Sequence, residues 1–283
     1  MPVKIIADNC CDLPDYILSD YNIKLVHALV RFGDHEYPPG KPTTSDFYEI
    51  MKSSSMMPTT SQPSPEEVKD VYSTALEDGS EVLAIHMSSG ISGTYQGAVL
   101  AKELLDNPRL RLVDSKKASL GMGLMVLEAA KMAKCGENLA SILARLTEMQ
   151  TRLQCIFSVG NLEYLIKGGR ISRAKGLVAG ILDIKPVLRF DADGYIVAYE
   201  KVRGHRAALH RLVEITDKLG VNLAEQTLGV VHSACDDDAE YLRKVLEDKY
   251  SPREIIVSEI GPVVGSHVGP GSFSVFFESD HLW

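Results

Sequence analysis

The chain has 283 residues, 45% of them hydrophobic and 24% charged, with a formal net charge of −8. At roughly 150 residues per domain this length suggests about two domains, each able to bury a core without disulfides or a structural metal. The composition excludes disordered, collagenous and coiled-coil classes, and the acidic balance argues against a duty built on binding a phosphate backbone.

The apolar run over residues 3–7 is too short for the core of a signal peptide and is interrupted by Lys4. No stretch approaches the ~18 apolar residues of a membrane span. Cys10, Cys11, Cys135, Cys155 and Cys235 form no C-x-x-C pair, which points to reduced thiols and a cytoplasmic protein. Cys10 and Cys11 read as small side chains in a turn.

Residues 3–7 are a predicted strand, followed by a turn over 8–12 and a helical pattern over 14–21. A single strand is expected over 23–32, apolar at Ile23, Leu25, Leu29 and Phe32, then a turn at Gly33-Asp34 and a looser segment. Ser64, Pro65 and Glu67 have the spacing of a capping box that opens a helix. A continuous apolar strand over 81–87 leads through a Gly/Ser loop into a helix over 94–105, a strand over 110–113 and helices over 122–134 and 139–152.

The second half starts with a strand over 154–159. A helix from Asn161 runs into Lys167-Gly168-Gly169-Arg170, and another follows through residue 182. Strands over 184–189 and 195–202 pair across Asp191-Ala192-Asp193-Gly194, which lacks the later glutamate of a calcium loop and reads as a hairpin turn. Helices over 205–219 and 236–250 alternate with strands over 228–232 and 254–259, and a Gly/Pro-rich tail carries a strand over 273–277. This alternation implies an α/β fold of two domains, 1–152 and 153–283, with mainly parallel sheets.

Four stretches carry chemistry. Thr60, Ser61 and Gln62 offer hydrogen-bonding groups just ahead of a helix, the end that favours an anion. The 88–96 loop follows a buried strand and opens a helix, the place where α/β sheets bind ligands. It lacks the Gly-Lys-Ser/Thr of a P-loop. Gly90-Ile91-Ser92 starts like a nucleophile elbow, but the next glycine, Gly93, comes one residue early. The span 145–211 holds twelve Lys+Arg against six Asp+Glu, +6 where the rest of the chain is −14. It is either a solvated face or an anchor for an anionic group or acidic partner. Finally, the glycines and proline of 261–271 are expected to form a rigid turn that presents His267. His86 and His232 end strands and are expected to be satisfied by nearby backbone. No histidine or carboxylate spacing supports a metal site, and Gly121-Met122-Gly123 fails the dinucleotide fingerprint because Val126 stands where the third glycine belongs.

In this order the stretches resemble the DegV family, the bacterial fatty-acid-binding proteins. The matching strings are TSQPSP (60–65), SSGISGTYQ (88–96), VDS (113–115), LIKGGRISRAKGL (165–177), IKPVL (184–188), KVRG (201–204) and HVGPG (267–271). The opening is similar to the family's I-x-x-D-S-x-x-D-L-P, with Asp8, Asp12, Leu13 and Pro14 kept and Asn9 in place of the usual serine. The resemblance implies two α/β domains with a long-chain fatty acid such as palmitate, stearate or oleate bound between them, and no other cofactor. It also implies a partner, a separate fatty acid kinase that phosphorylates the bound carboxylate for phospholipid synthesis. It assigns Thr60 and Ser92 as hydroxyl donors to the carboxylate, Ser61 and Gly93 as neighbouring support, and His267 as the residue closing that network. Arg170, with Arg203 as a second candidate, would meet the phosphate or the kinase. The competing reading is a serine hydrolase or acyl transferase that uses Ser92 with His267 as base, opposed by the missing elbow and the lack of an acidic orienting residue. A DNA-binding regulator is disfavoured by the charge and by the absence of a helix-turn-helix pattern.

Overall fold

Three sheets organise the chain, which the computed structural model describes over residues 2–171 and 184–281. The first is built from β1 (Val3–Asp8), β2 (Lys24–Val26), β6 (Glu81–His86) and β7 (Leu110–Asp114), all parallel, in the order β2-β1-β6-β7. Its central strands are apolar on both faces because helices cover both sides. Ile6, Val82 and Ala84 pack with α3 (Pro65–Leu76) and α4 (Thr94–Leu105), while Ile5, Leu83 and Ile85 belong to the core on the other face. The predicted capping box opens α3, with Ser64 and Glu67 bonded reciprocally.

That other face is covered by α5 (Leu120–Lys134), which also packs on the second sheet. Ten of its fifteen residues are buried, as a helix held between two sheets requires. The close approach explains its Gly-x-Gly: a Cβ on Gly123 would stand 2.4 Å from the Cys11 carbonyl oxygen, and one on Gly121 2.5 Å from Cys155 Sγ. Cys10 and Cys11 are buried small groups in the turn after β1, as expected, and burial pushes both thiols up.

The second sheet comprises β8 (Leu153–Ser158), β9 (Ile184–Phe190), β10 (Ile196–Arg203), β11 (Thr227–His232), β12 (Glu254–Glu259) and β13 (Phe273–Glu278), ordered β10-β9-β8-β13-β11-β12. The α/β class holds, but the expectation of mainly parallel sheets is corrected here. Only β11 and β12 are parallel, and the four other pairings are antiparallel. The physical reason is the connections. β9 and β10 are joined by the tight turn after Asp191, whose Oδ1 accepts from Asp193 and Tyr195 N–H, and such a turn joins only antiparallel strands. The helices α8 (His205–Leu219) and α9 (Asp236–Tyr250) lie on one face, against β13 and β11.

The third sheet corrects a second expectation. Residues 23–32 are two strands, not one: β2 stays in the parallel sheet, and β3 (Leu29–Phe32) pairs with β4 (His35–Glu36) and β5 (Thr59–Ser61). The looser segment also contains a helix, α2 (Thr44–Ser53), N-capped by Thr43 and buried through Phe47, Tyr48 and Met51. The remaining α-helices among the described residues are α1 (Asp15–Asp20), α6 (Leu139–Arg152), α7 (Glu163–Lys167) and α10 (Pro262–Val268). The rigid turn expected around His267 is α10, started by Pro262 at its first position. The helix expected to run on through residue 182 lies, from residue 172, outside the described residues.

Candidate functional site

A cavity of about 400 Å³ opens between the parallel sheet and the second sheet. Its walls come from Met87 after β6, Ala118 before α5, Phe157 on β8, Phe190 on β9, Val231 on β11 and Phe276 on β13. The volume lies in the range of ~300–1,000 Å³ usual for small-molecule sites, and most of the lining is apolar.

The polar lining gathers most of the predicted residues. Thr60, Ser61, Ser92, Gly93, Arg170 and His267 all face this cavity, whereas Arg203 is exposed at the end of β10 and lies outside the lining. Thr60 sits on β5, and its Oγ1 lies 2.8 Å from His267 Nε2 on α10. The Ser61 hydroxyl donates to Glu36 at 3.4 Å. Ser92 Oγ is 2.9 Å from Thr94 Oγ1, and Gly93 is the residue from which α4 starts.

His267 is held neutral. Burial pushes its pKa down to about 4, and the nearby Arg170 charge adds to the effect. Its Nδ1 is buried without a partner, close to Gly168, where a Cβ would stand 2.6 Å away. That glycine makes room for the ring. A neutral imidazole carries one N–H, and a buried N–H without an acceptor costs more than a bare acceptor nitrogen. The proton therefore belongs on Nε2, which donates to Thr60 Oγ1 and leaves the threonine hydroxyl free to donate into the cavity.

Arg170 is itself disfavoured as a cation by burial; its Nε donates to the Ile91 carbonyl at 3.1 Å, and its guanidinium also reaches Gly168 O. Much of the positive span is engaged within the chain. Arg145 pairs with Glu128, Glu148 and Glu278, Arg152 with Glu148 and Asp280, and Arg211 with Glu200 and Glu214.

Two buried carboxylates near the site, Asp8 and Asp12, are the ones kept in the family-like opening, where the sequence assigned them no role. Asp12 accepts from the Ser119 hydroxyl at 2.5 Å and from Gly261 N–H at 3.0 Å, so it ties the start of α5 to the start of α10. Asp8 corrects the expectation for His86. That ring is satisfied by side chains, Asp8 at 3.1 Å and Tyr72 at 2.5 Å, rather than by backbone. His232 does accept from backbone, the N–H of Cys235 at 3.3 Å. The opening motif marks both residues, but their partners, Ser119, Gly261 and His86, lie far along the chain and gave no local signal.

A family model described as "Uncharacterised protein, DegV family" matches residues 2–280. The chain belongs to the DegV family. A DegV domain-containing protein of Caldanaerobacter subterraneus subsp. tengcongensis is 32% identical over 277 residues, 98% of each chain. Among solved structures, a DegV family protein from Thermus thermophilus described by its fatty acid binding is similar with a TM-score of 0.92 and 32% identity, over 99% of this chain and 100% of that one. DegV from Bacillus subtilis, described as a fatty acid binding protein, gives 0.89 and 29% over 99% and 100%. Among the described residues, no helix of this DegV-family chain is long and apolar enough to cross a membrane.

Proposed function

We propose that the chain binds a long-chain fatty acid, with the acyl tail in the cavity between the lobes 1–152 and 153–283 and the carboxylate at Thr60, Ser92 and His267. The observation that carries this reading is the cavity itself: apolar walls of acyl-chain scale, with a hydroxyl and a neutral imidazole in hydrogen-bond contact in its lining. The fatty acid binding of the Thermus thermophilus and Bacillus subtilis relatives supports it. At ~0.8 kcal/mol per buried CH₂, a 16-carbon tail contributes on the order of 11 kcal/mol before the costs of association. The head group then needs orientation more than affinity, and neutral donors orient it without a strong ion pair that would resist release. Mass spectrometry of an organic extract of the purified protein tests this. A stoichiometric fatty acid is expected; a clean extract followed by no binding of C12–C20 acids on titration would overturn the reading.

The carboxylate so held is presented to a separate fatty acid kinase, whose acyl phosphate product enters phospholipid synthesis. Arg170, on the cavity wall beside His267, is the residue that meets the phosphate or the kinase. Arg203, exposed and outside the cavity, suits only a contact with the kinase itself. With such a kinase present, Arg170→Ala is expected to slow turnover at saturating protein by at least tenfold, and an unchanged rate would remove Arg170 from this role.

The hydrolase reading is the weaker one on a specific observation. His267 Nε2 engages Thr60 while Ser92 engages Thr94, and no carboxylate among the described residues holds His267 Nδ1. A triad needs the opposite wiring.

A further inference from the structure

Three fully buried polar side chains, Asp8 at the end of β1, His86 at the end of β6 and Tyr72 on α3, stand behind the cavity without lining it. Asp8 Oδ2 accepts from Met87 N–H at 2.9 Å and faces His86 Nδ1 at 3.1 Å, while its Oδ1 accepts from Cys10 N–H at 3.1 Å. With the ring proton on Nδ1, His86 Nε2 accepts from the Tyr72 hydroxyl, a phenol that burial pushes up and keeps protonated. The next residue, Asn9, makes a matched pair of bonds to Ala28. Its Oδ1 accepts from Ala28 N–H at 2.9 Å and its Nδ2 donates to Ala28 O at 3.0 Å, so the carboxamide stands in for a peptide group of a neighbouring strand.

These bonds run to two sides of the cavity. Met87 opens the loop that carries Ser92, whose own N–H returns to Ser88 O at 3.2 Å. Ala28 opens β3, in which Val30 is registered against Thr60 on β5. We propose that Asp8 and Asn9 are positioning residues that, from one turn, fix the separation of the Ser92 and Thr60 hydroxyls across the cavity. This rests on the reading of those hydroxyls as the head-group site.

The two side chains are chemically distinct in this role. An amide at position 8 would turn its NH₂ toward a backbone N–H whichever way it faced, Met87 on one side or Cys10 on the other. A carboxylate at position 9 would lose the donor to Ala28 O and face that carbonyl with a like charge. A loosened turn would misplace the head group while leaving the apolar walls intact.

The test compares affinity for laurate and for 1-dodecanol, which share a chain but not a carboxylate, in the unmodified chain, Asp8→Asn, Asn9→Asp and Tyr72→Phe. Asn9→Asp keeps the inference testable if Asp8→Asn does not fold. In the first two variants laurate affinity should fall about tenfold, the size of one lost buried hydrogen bond, with dodecanol affinity held within twofold. Tyr72→Phe keeps every bond to the two loops and should leave the laurate-to-dodecanol ratio unchanged. Equal losses for both ligands, or laurate affinity unchanged in Asn9→Asp, would overturn the proposal. If the unmodified chain shows no preference for the acid, the head-group reading falls and this inference falls with it.

Discussion

Replacing Asp12 by asparagine is expected to stabilise the protein above pH 7 and to change the sign of its pH dependence below that. Asp12 is buried, and desolvation pushes its pKa up from 3.8 to about 7, against the hydrogen bonds from Ser119 and Gly261 that lower it and with the Asp8 charge that raises it. A carboxyl whose pKa is raised by folding favours its protonated form in the fold. Its contribution is fully present below 3.8 and is lost as pH rises through about 7. About three units correspond to on the order of 4 kcal/mol, an upper bound for a buried group with polar neighbours.

His267 acts in the opposite sense. Its pKa is lowered from 6.5 to about 4, so its contribution is present above 6.5 and lost as pH falls through about 4. In the native chain the two slopes oppose each other over about pH 4–7. Asparagine keeps an acceptor for Gly261 N–H, and the Ser119 hydroxyl can rotate to accept from the new amide. Urea unfolding at pH 4.5, 6 and 7.5 should therefore give a variant that gains stability with rising pH. Its advantage over the native chain should be small at pH 4.5 and reach roughly 2 kcal/mol at pH 7.5. A variant less stable than the native chain at pH 7.5 would mean that Asp12 is held as a paired anion.

Thr60→Val is expected to cost the most in ligand affinity. It removes a hydroxyl while keeping the β-branched shape that suits β5, and it leaves both His267 nitrogens without a partner. The orphaned buried N–H costs about 1–3 kcal/mol of stability, and the loss of the head-group donor should weaken palmitate binding by roughly 10- to 100-fold. Displacement of a fluorescent fatty acid measures the second effect and thermal unfolding the first. Palmitate affinity within twofold of native for Thr60→Val would exclude that hydroxyl from the site.

The elements legible in the sequence were those whose signal is local. The limits of α4, α8 and α9 follow from periodicity, α3 from the Ser64 and Glu67 box, and the β9–β10 hairpin from Asp191 and Gly194. What was hidden depended on distant partners. The split between β2 and β3 occurs where Asn9 grips Ala28, a contact 19 residues away. His86 is satisfied by Asp8, 78 residues away. The antiparallel order of the second sheet follows from β13 entering between β8 and β11. Two misses did carry local signals: Thr43 and Asp46 ahead of Phe47, Tyr48 and Met51 mark α2, and Pro262 marks α10. The cavity's polar lining was legible as strings of small polar groups, whereas the pairing of Thr60 with His267, 207 residues apart, was not.

The place of β13 also bears on when the cavity comes into being. It is the last of the described strands in chain order yet lies near the middle of its sheet, and Phe273, Ser274 and Phe276 on it line the cavity. During synthesis the parallel sheet, made wholly from earlier residues, can form first. The second sheet must wait, with β8 and β11 exposing unpaired edges until β13 has emerged and threaded between them. A ribosome-bound chain lacking that strand is missing the part of the cavity wall that Phe273, Ser274 and Phe276 supply. The complete cavity thus depends on β13, and chains cut short before Phe273 should aggregate through those open edges rather than persist as folded, soluble species.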